Sequence, residues 1–135
     1  MYLYNITGIV KEIGEKHLII QNEGFGYKIR CTLSALHHAK VDELFIELLI
    51  YQHITDDDET WYGFNEDEEL ELFKELIKVT GIGPAKAIMV LGYPVDVVKQ
   101  ALALEDRRLF LSIPGFGIRL TEKMFLEIGK KFQIK

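Results

Sequence analysis

The sequence contains IKVTGIGP at residues 77–84 and LSIPGFGI at residues 111–118, two segments that share the pattern apolar-x-Gly-x-Gly. They lie 34 residues apart (111 − 77 = 34). Apolar residues at helical spacing flank both segments, so each unit is predicted to be a helix, a tight hairpin and a second helix. We therefore expect tandem helix-hairpin-helix motifs, with helices over 66–78, 84–91, 95–104, 106–112 and 118–132.

The glycines of these hairpins predict a site for anions. Glycine projects no Cβ, so the backbone can turn tightly and approach a ligand closely. Because a helix follows each hairpin at once, unpaired N–H groups and the positive helix end converge there. Pro84 suits the first helical position, where an N–H would be unpaired anyway. One interpretation is that both hairpins are tight turns without a ligand. The duplication favours a second interpretation, in which both loops bind neighbouring phosphates of a nucleic acid without reading its bases.

Basic residues near the hairpins are candidates for the long-range attraction to phosphate. Lys78, Lys86, Arg119 and Lys123 are each equally compatible with a solvated surface position or with a charge-assisted bond to phosphate. The predicted DNA-binding set consists of Thr80, Gly81, Ile82, Gly83, Lys86, Gly115, Phe116, Gly117, Arg119 and Lys123.

The first half of the chain is predicted to be β-structure. Apolar, β-branched runs separated by turn-forming residues indicate five strands, at 3–10, 17–21, 27–33, 44–55 and 60–64, with one helical turn at 34–38. A sheet this small has costly open edges, so closure into an OB-like barrel is favoured. The expected class is α+β, a five-stranded OB-like β-barrel followed by a helical domain.

The change from strand to helix periodicity places a domain boundary near residue 65. Asn65 is a favoured N-cap, and Glu68 three residues later completes a capping box. Leu70, Phe73, Leu76 and Ile77 then fall on one helical face. We expect domains at 1–64 and 65–135.

Composition narrows the classes of function. The net charge is −5, but residues 1–65 carry five basic and ten acidic side chains, whereas 66–135 carry eleven of each. A phosphate-binding surface is therefore expected in the second half.

The single cysteine, Cys31, excludes an internal disulfide and suggests a small buried side chain. No apolar run approaches the roughly 18 residues of a membrane span, and no signal peptide is evident, so a cytoplasmic protein without membrane contact is expected.

The acidic segment at residues 56–59, Asp-Asp-Asp-Glu, falls between two predicted strands. It is predicted to lie at a hairpin tip. A solvated turn and a divalent-metal site are both open, although the spacing lacks the alternation and glycine of a calcium loop. We expect no metal site and no cofactor. The sequence also lacks a phosphate-binding loop of the Gly-x-x-x-x-Gly-Lys-Ser/Thr kind, so ATP hydrolysis is not expected of this chain.

Several stretches together resemble the RuvA family, in the family's order and spacing: YNITG at 4–8, GFGYKI at 24–29, YGF at 62–64, LFKELIK at 72–78, GIGP at 81–84 and IPGFG at 113–117. The resemblance implies a homotetramer, single or paired into an octamer, that holds a four-way (Holliday) junction open for branch migration in DNA recombination, repair and the SOS response. It also implies that Asp56 and Asp57 form an acidic pin at the junction centre, where they repel phosphates and steer the separated strands.

The resemblance further implies two partners, an ATP-driven RuvB motor and a RuvC resolvase. The sequence stops at Lys135, before the family's third, motor-binding domain, so we expect the RuvB contact to be missing here. Ala85 and Ile118 replace lysines that family members often carry, with Lys86 one position away, and Trp61 replaces a smaller apolar residue. We expect phosphate affinity to be reduced.

Two alternatives come from other classes of function. Helix-hairpin-helix elements also accompany metal-dependent nucleases and glycosylases, for which the acids at 56–59 are the candidates. A general single-strand binder would use exposed aromatics on the barrel, such as Tyr27, Tyr51, Trp61 and Tyr62, but their surroundings are acidic. The favoured hypothesis is a non-catalytic junction-binding scaffold.

Overall fold

The structure, a computed structural model, describes residues 4–133. The chain separates into two compact units, residues 1–70 and 71–135. The first turn of the helix that begins at Asp67 therefore belongs to the first unit. The domain boundary expected between residues 64 and 65 remains a prediction.

The first unit is a closed five-stranded barrel, as predicted. Its strands follow the order β1-β2-β3-β5-β4, with β4 pairing back onto β1. All pairs are antiparallel except β3 with β5. The bounds are β1 Asn5–Ile13, β2 His17–Asn22, β3 Phe25–Cys31, β4 Leu44–Ile54 and β5 Glu59–Phe64, with helix α1, Leu33–His38, between β3 and β4.

Alternate strand residues fill the barrel, because successive side chains point to opposite faces of a sheet. Cys31 is among them, and burial raises the pKa of its thiol to about 12. The barrel core consists of Ile6, Val10, Leu18, Ile20, Ile29, Cys31, Ala35, Leu36, Ala39, Phe45, Leu48 and Ile50.

Strand β1 extends beyond its predicted end at Val10. The register with β2 shifts between Val10 and Glu12, and pairing then continues to Ile13 opposite Leu18. Such a β-bulge places an extra residue in one strand, and the pairing with the neighbouring strand resumes beyond it. The apolar pattern ends at Val10, so the sequence alone could not show the continuation. The predicted start at Leu3 lies outside the described residues.

The predicted helices are present, although the first begins within the first unit and the last ends at Ile128 instead of residue 132. Helix α2 spans Asp67–Ile77, α3 Pro84–Val90, α4 Val95–Ala103, α5 Arg107–Leu111 and α6 Ile118–Ile128, and a 3₁₀ turn follows at Gly129–Phe132. Leu70, Phe73 and Leu76 are buried as expected, whereas Ile77 is only partly buried. None of the helices among residues 4–133 is long and apolar enough to cross a membrane.

The cap of α2 differs from the predicted Asn65 and Glu68 pair. The Glu69 carboxylate accepts the backbone N–H groups of Asn65 at 3.0 Å and Glu66 at 3.4 Å. The same oxygen accepts the hydroxyls of Ser34 at 2.8 Å and Thr32 at 3.3 Å. Glu69 is the third residue of the helix, the position from which a capping glutamate reaches back. The cap is therefore shifted by one residue, toward the glutamate that faces α1.

Replacing Glu69 with alanine is expected to lower the free energy of unfolding by about 2–3 kcal/mol, because buried donors lose their shared acceptor. Glu69 is 5% exposed, whereas Glu68 is exposed to solvent. Glu68→Ala is the matched control and should change stability by less than about 0.5 kcal/mol. Urea unfolding of both variants measures the difference; equal losses would show that the cap does not depend on Glu69.

Candidate nucleic-acid interface

The two hairpins have the same backbone conformation. Gly81 and Gly115 have φ of +102° and +90°, a region that side chains with a Cβ rarely adopt. Gly83 and Gly117, the N-caps of α3 and α6, have φ/ψ of −91°/177° and −89°/178°. The sequence repeat therefore corresponds to a structural repeat, in which the first glycine of each loop is required by its conformation.

The apolar hairpin residues hold the loops in place. Val79 and Ile82 are buried in the first loop, and Ile113 and Phe116 are buried in the second. The backbone N–H of Ile82 donates to the Val79 carbonyl at 3.0 Å. The equivalent N–H of Phe116 donates to Ile113 at 3.1 Å.

This pairing corrects the prediction that the N–H groups of the hairpins are unpaired. The middle amide of each loop is used internally, because it closes the turn that carries the glycines. Ile82 and Phe116, both in the predicted DNA-binding set, have side chains only 3% and 4% exposed. Both side chains therefore fix the loop and are not exposed to a ligand.

The glycine amides on either side are available. Gly81, Gly83, Gly115 and Gly117 are all exposed, and their N–H groups make no hydrogen bond within residues 4–133. The first backbone bond of α6 runs from Thr121 N–H to the Gly117 carbonyl at 3.0 Å. The N–H groups before Thr121 thus stand at an open helix start, where an anion is favoured.

The hairpins lie side by side through a reciprocal contact. A Cβ built on Gly115 would lie 3.0 Å from Cε of Lys86, and one on Gly81 would lie 3.0 Å from Cδ1 of Leu120. Lys86 and Leu120 occupy matching places, each five residues after the first glycine of its own hairpin. Each helix start therefore covers the opposite loop. The 34-residue repeat carried this signal, but sequence reasoning did not use it.

The basic residues near the hairpins differ in their partners. Lys86 is half-buried, and its Nζ donates to the Gly81 carbonyl at 3.2 Å. Arg119 and Lys123 are exposed, one helical turn apart on α6, and form no ion pair within the part of the chain that the structure describes. Thr80 is exposed directly before Gly81. Lys86 thus lies at both hairpins, and Arg119 and Lys123 lie in the first two turns of the helix that follows Gly117.

Lys78, also a candidate, is already paired. Its Nζ lies 2.9 Å from the Glu75 carboxylate, and Lys131 lies 2.7 Å from the other oxygen of that carboxylate. The hydrogen bond to Glu75 raises the pKa of Lys78, and the hydrogen bond from Lys131 is the main cause of the lowered pKa of Glu75. Lys78 is therefore a weaker candidate than Arg119 or Lys123.

The acidic segment lies at the tip between β4 and β5, as predicted. Thr55 closes the turn: its N–H donates to the Asp58 carbonyl at 2.8 Å, and its Oγ1 accepts the Asp58 N–H at 3.1 Å. Asp58 also accepts a hydrogen bond from the Thr60 hydroxyl. Asp56 and Asp57 are exposed at the end of the hairpin. Among residues 4–133, no group of three or more His, Cys, Asp or Glu could hold a metal ion.

Comparisons with known proteins agree with this arrangement. A family model described as RuvA N terminal domain matches residues 1–63, and one described as SAM-like Helix-hairpin-helix tandem matches residues 73–130. A protein of Methylobacillus flagellatus, named Holliday junction branch migration complex subunit RuvA, is 32% identical over 96% of this chain and 67% of its own length. A protein of the same name from Caldanaerobacter subterraneus is 32% identical over 93% of this chain and 68% of its own length. This chain belongs to the RuvA family.

Proposed function

We propose that this chain binds four-way DNA junctions as the non-catalytic scaffold of a branch-migration complex. The observation that carries the proposal is the pair of adjacent hairpins with exposed glycine amides. The names of the relatives support the ligand, because each is a subunit of a Holliday junction branch migration complex. We refer to the exposed acidic segment at residues 56–59 as the acidic tip.

The hairpins bind the sugar-phosphate backbone of one duplex arm. Backbone amides can donate to phosphate oxygens but cannot distinguish bases, so the interaction fixes the position of the arm without reading its sequence. Since Lys86 and Leu120 hold the loops side by side, both can meet the same duplex. Binding selects the shape of the DNA rather than its sequence.

Arg119 and Lys123 supply the electrostatic part of this binding. Replacing both with alanine is expected to reduce the slope of log K against log salt by about two, one for each lost phosphate contact. Arg108→Ala is the control, because Arg108 is exposed but its guanidinium is bound to Asp106 at 3.0 Å. Fluorescence anisotropy of a labelled junction over a salt series gives the slopes; a slope that stays at the wild-type value would remove these residues from the interface.

Asp56 and Asp57 keep DNA strands apart at the junction centre. Carboxylates at an exposed tip repel phosphates, and the effect is strongest where several strands converge. A continuous duplex has no open centre to receive the tip, so the same charges lower its affinity. The tip therefore contributes selectivity, while the hairpins contribute affinity.

Four copies of the chain surround one junction in this proposal, because a four-way junction presents four equivalent arms. One tetramer holds the junction on one side, and two would enclose it. ATP hydrolysis belongs to a separate motor, and cleavage to a separate resolvase. Light scattering with and without a synthetic junction tests the assembly; a monomer in both samples would contradict it.

Competition between DNA structures tests the ligand. Unlabelled four-way junction should displace a labelled junction at a lower concentration than linear duplex of the same length and composition. The expected separation is at least tenfold at about 100 mM salt, where non-specific binding is already weakened. Equal displacement by both DNA forms would overturn the proposed function.

A further inference from the structure

Three aromatic side chains lie in a row on the barrel and have no part in the function proposed above. The rings of Tyr27 and Trp61 stack, with centroids 5.1 Å apart and planes 14° from parallel. The ring of Phe25 is tilted against Tyr27 at a centroid distance of 6.5 Å. Phe25 is 68% exposed, whereas Tyr27 and Trp61 are partly buried. We refer to Phe25, Tyr27 and Trp61 as the aromatic row.

The aromatic row is held rigidly. Tyr27 and Trp61 pack against the barrel core, and the indole N–H of Trp61 donates to the Glu59 carboxylate. Two rings fixed in this way lose little side-chain freedom when a further flat group stacks beside them. The row is thus suited to a planar ligand.

The surface beside the row is small and partly polar. An open depression of about 230 Å³ is lined by Gly26, Tyr27, Lys28, Glu59 and Trp61. This size admits one flat heterocycle but not a helix or a strand. Lys28 and Glu59 place a donor and an acceptor at its rim, which matches the mixed hydrogen-bonding edge of a nucleobase.

The row is also close to the acidic tip. Trp61 is two residues, about 7 Å, along β5 from Glu59, where the tip ends. The acidic surroundings disfavour contact with phosphate, but stacking uses the uncharged face of a base. A base separated from its partner beside the tip can therefore reach the row.

We propose that the aromatic row accepts an unpaired nucleobase from a strand beside the junction crossover. This inference rests on the proposed function, since it requires a junction whose central pairs are open. The row would stabilise the separated state that the acidic tip promotes, and linear duplex would not use it.

Trp61 makes the proposal directly measurable, because it is the only tryptophan of the chain. The 135-residue chain is titrated with a four-way junction while the anisotropy of a dye on the DNA and the emission of Trp61 are recorded together. Anisotropy reports binding, and quenching of Trp61 reports stacking. We expect both signals to change at the same junction concentrations, and linear duplex to raise anisotropy without quenching.

Two variants test the energetic contribution. Trp61→Leu keeps an apolar side chain against the barrel core and should weaken junction binding by about fivefold or more, with duplex affinity unchanged. Phe25→Ala alters an exposed ring and should cause a smaller loss of the same selectivity. Leu44→Ala is the control, because Leu44 is an exposed apolar residue at the end of β4 that lies away from the acidic tip. This variant should change neither the junction affinity nor the duplex affinity.

The outcomes separate the two proposals. Junction binding with unchanged Trp61 emission, or equal loss of junction and duplex affinity in Trp61→Leu, would overturn base stacking and leave the proposed function standing. If Trp61→Leu fails to fold by thermal melting, the quenching data and Phe25→Ala decide. Failure of the wild-type protein to bind the junction would overturn the proposed function, and this inference with it.

Discussion

Valine at both Gly83 and Gly117 is expected to weaken junction binding by about 100-fold or more and to leave the fold intact. Both glycines have negative φ, and a Cβ built on either meets no atom within 4 Å. The new side chains therefore cause no backbone strain and no clash inside the protein. They project instead into the space that the DNA backbone must enter.

The size of this effect follows from the bonds that are lost. A hydrogen bond to a charged group contributes about 1.5–3 kcal/mol, so preventing one such bond at each hairpin costs about 3 kcal/mol or more. Gly92→Val is the control, because Gly92 is an exposed glycine of the same unit, beyond the far end of α3. Junction affinity by anisotropy and unfolding by urea are measured for both. Wild-type affinity in the double variant would mean that the hairpins do not approach the DNA.

Neutralising the acidic tip should have the opposite effect on affinity. We expect Asp56→Asn with Asp57→Asn to tighten binding to linear duplex by about 30-fold, since each carboxylate near a phosphate costs about 1 kcal/mol in a water-like environment and the two together cost about 2 kcal/mol. Junction affinity should rise less, because the open centre already accommodates the tip. The preference for the junction over the duplex therefore falls.

The turn should survive this change, because Thr55 and Asp58 form its hydrogen bonds. Glu43→Gln with Glu47→Gln removes the same charge from exposed positions elsewhere on the barrel. This control should tighten both DNA forms slightly and equally. If the tip variant behaves like the control, the two aspartates have no special place at the junction centre.

The features that could be predicted from sequence are those with local causes. The hairpins were predictable because glycine, proline and helical periodicity act within a few residues, and the start of α3 at Pro84 was predicted to the residue. The closed barrel followed from strand alternation and the need to remove sheet edges. The family resemblance then supplied what the residues alone left open, above all the four-way junction.

The features that were missed depend on distant residues. Glu69 rather than Glu68 caps α2 because Thr32 and Ser34, more than 30 residues earlier, present their hydroxyls to it. Lys131 binds the Glu75 carboxylate from 56 residues further along the chain (131 − 75 = 56). No local pattern reports such contacts.

In the candidate site, a local feature was missed as well. Its glycines were predictable, but the internal hydrogen bonds of Ile82 and Phe116 were not. The prediction of unpaired N–H groups assumes a loop without hydrogen bonds of its own. The contact of Lys86 with Gly115 was also missed, because it joins the two hairpins and no pattern within one hairpin reports it. A repeat of known offset predicts reciprocal packing when its halves are treated as a pair.

The backbone amide signals of the hairpins, followed by NMR during titration with a four-way junction, test most directly whether both loops grip one DNA arm. Signals of Gly81, Gly83, Gly115 and Gly117 should shift together at the same junction concentrations, and those of Ile82 and Phe116, which donate within the loops, should shift less. Shifts confined to one hairpin, or to the barrel alone, would contradict paired gripping of the DNA backbone.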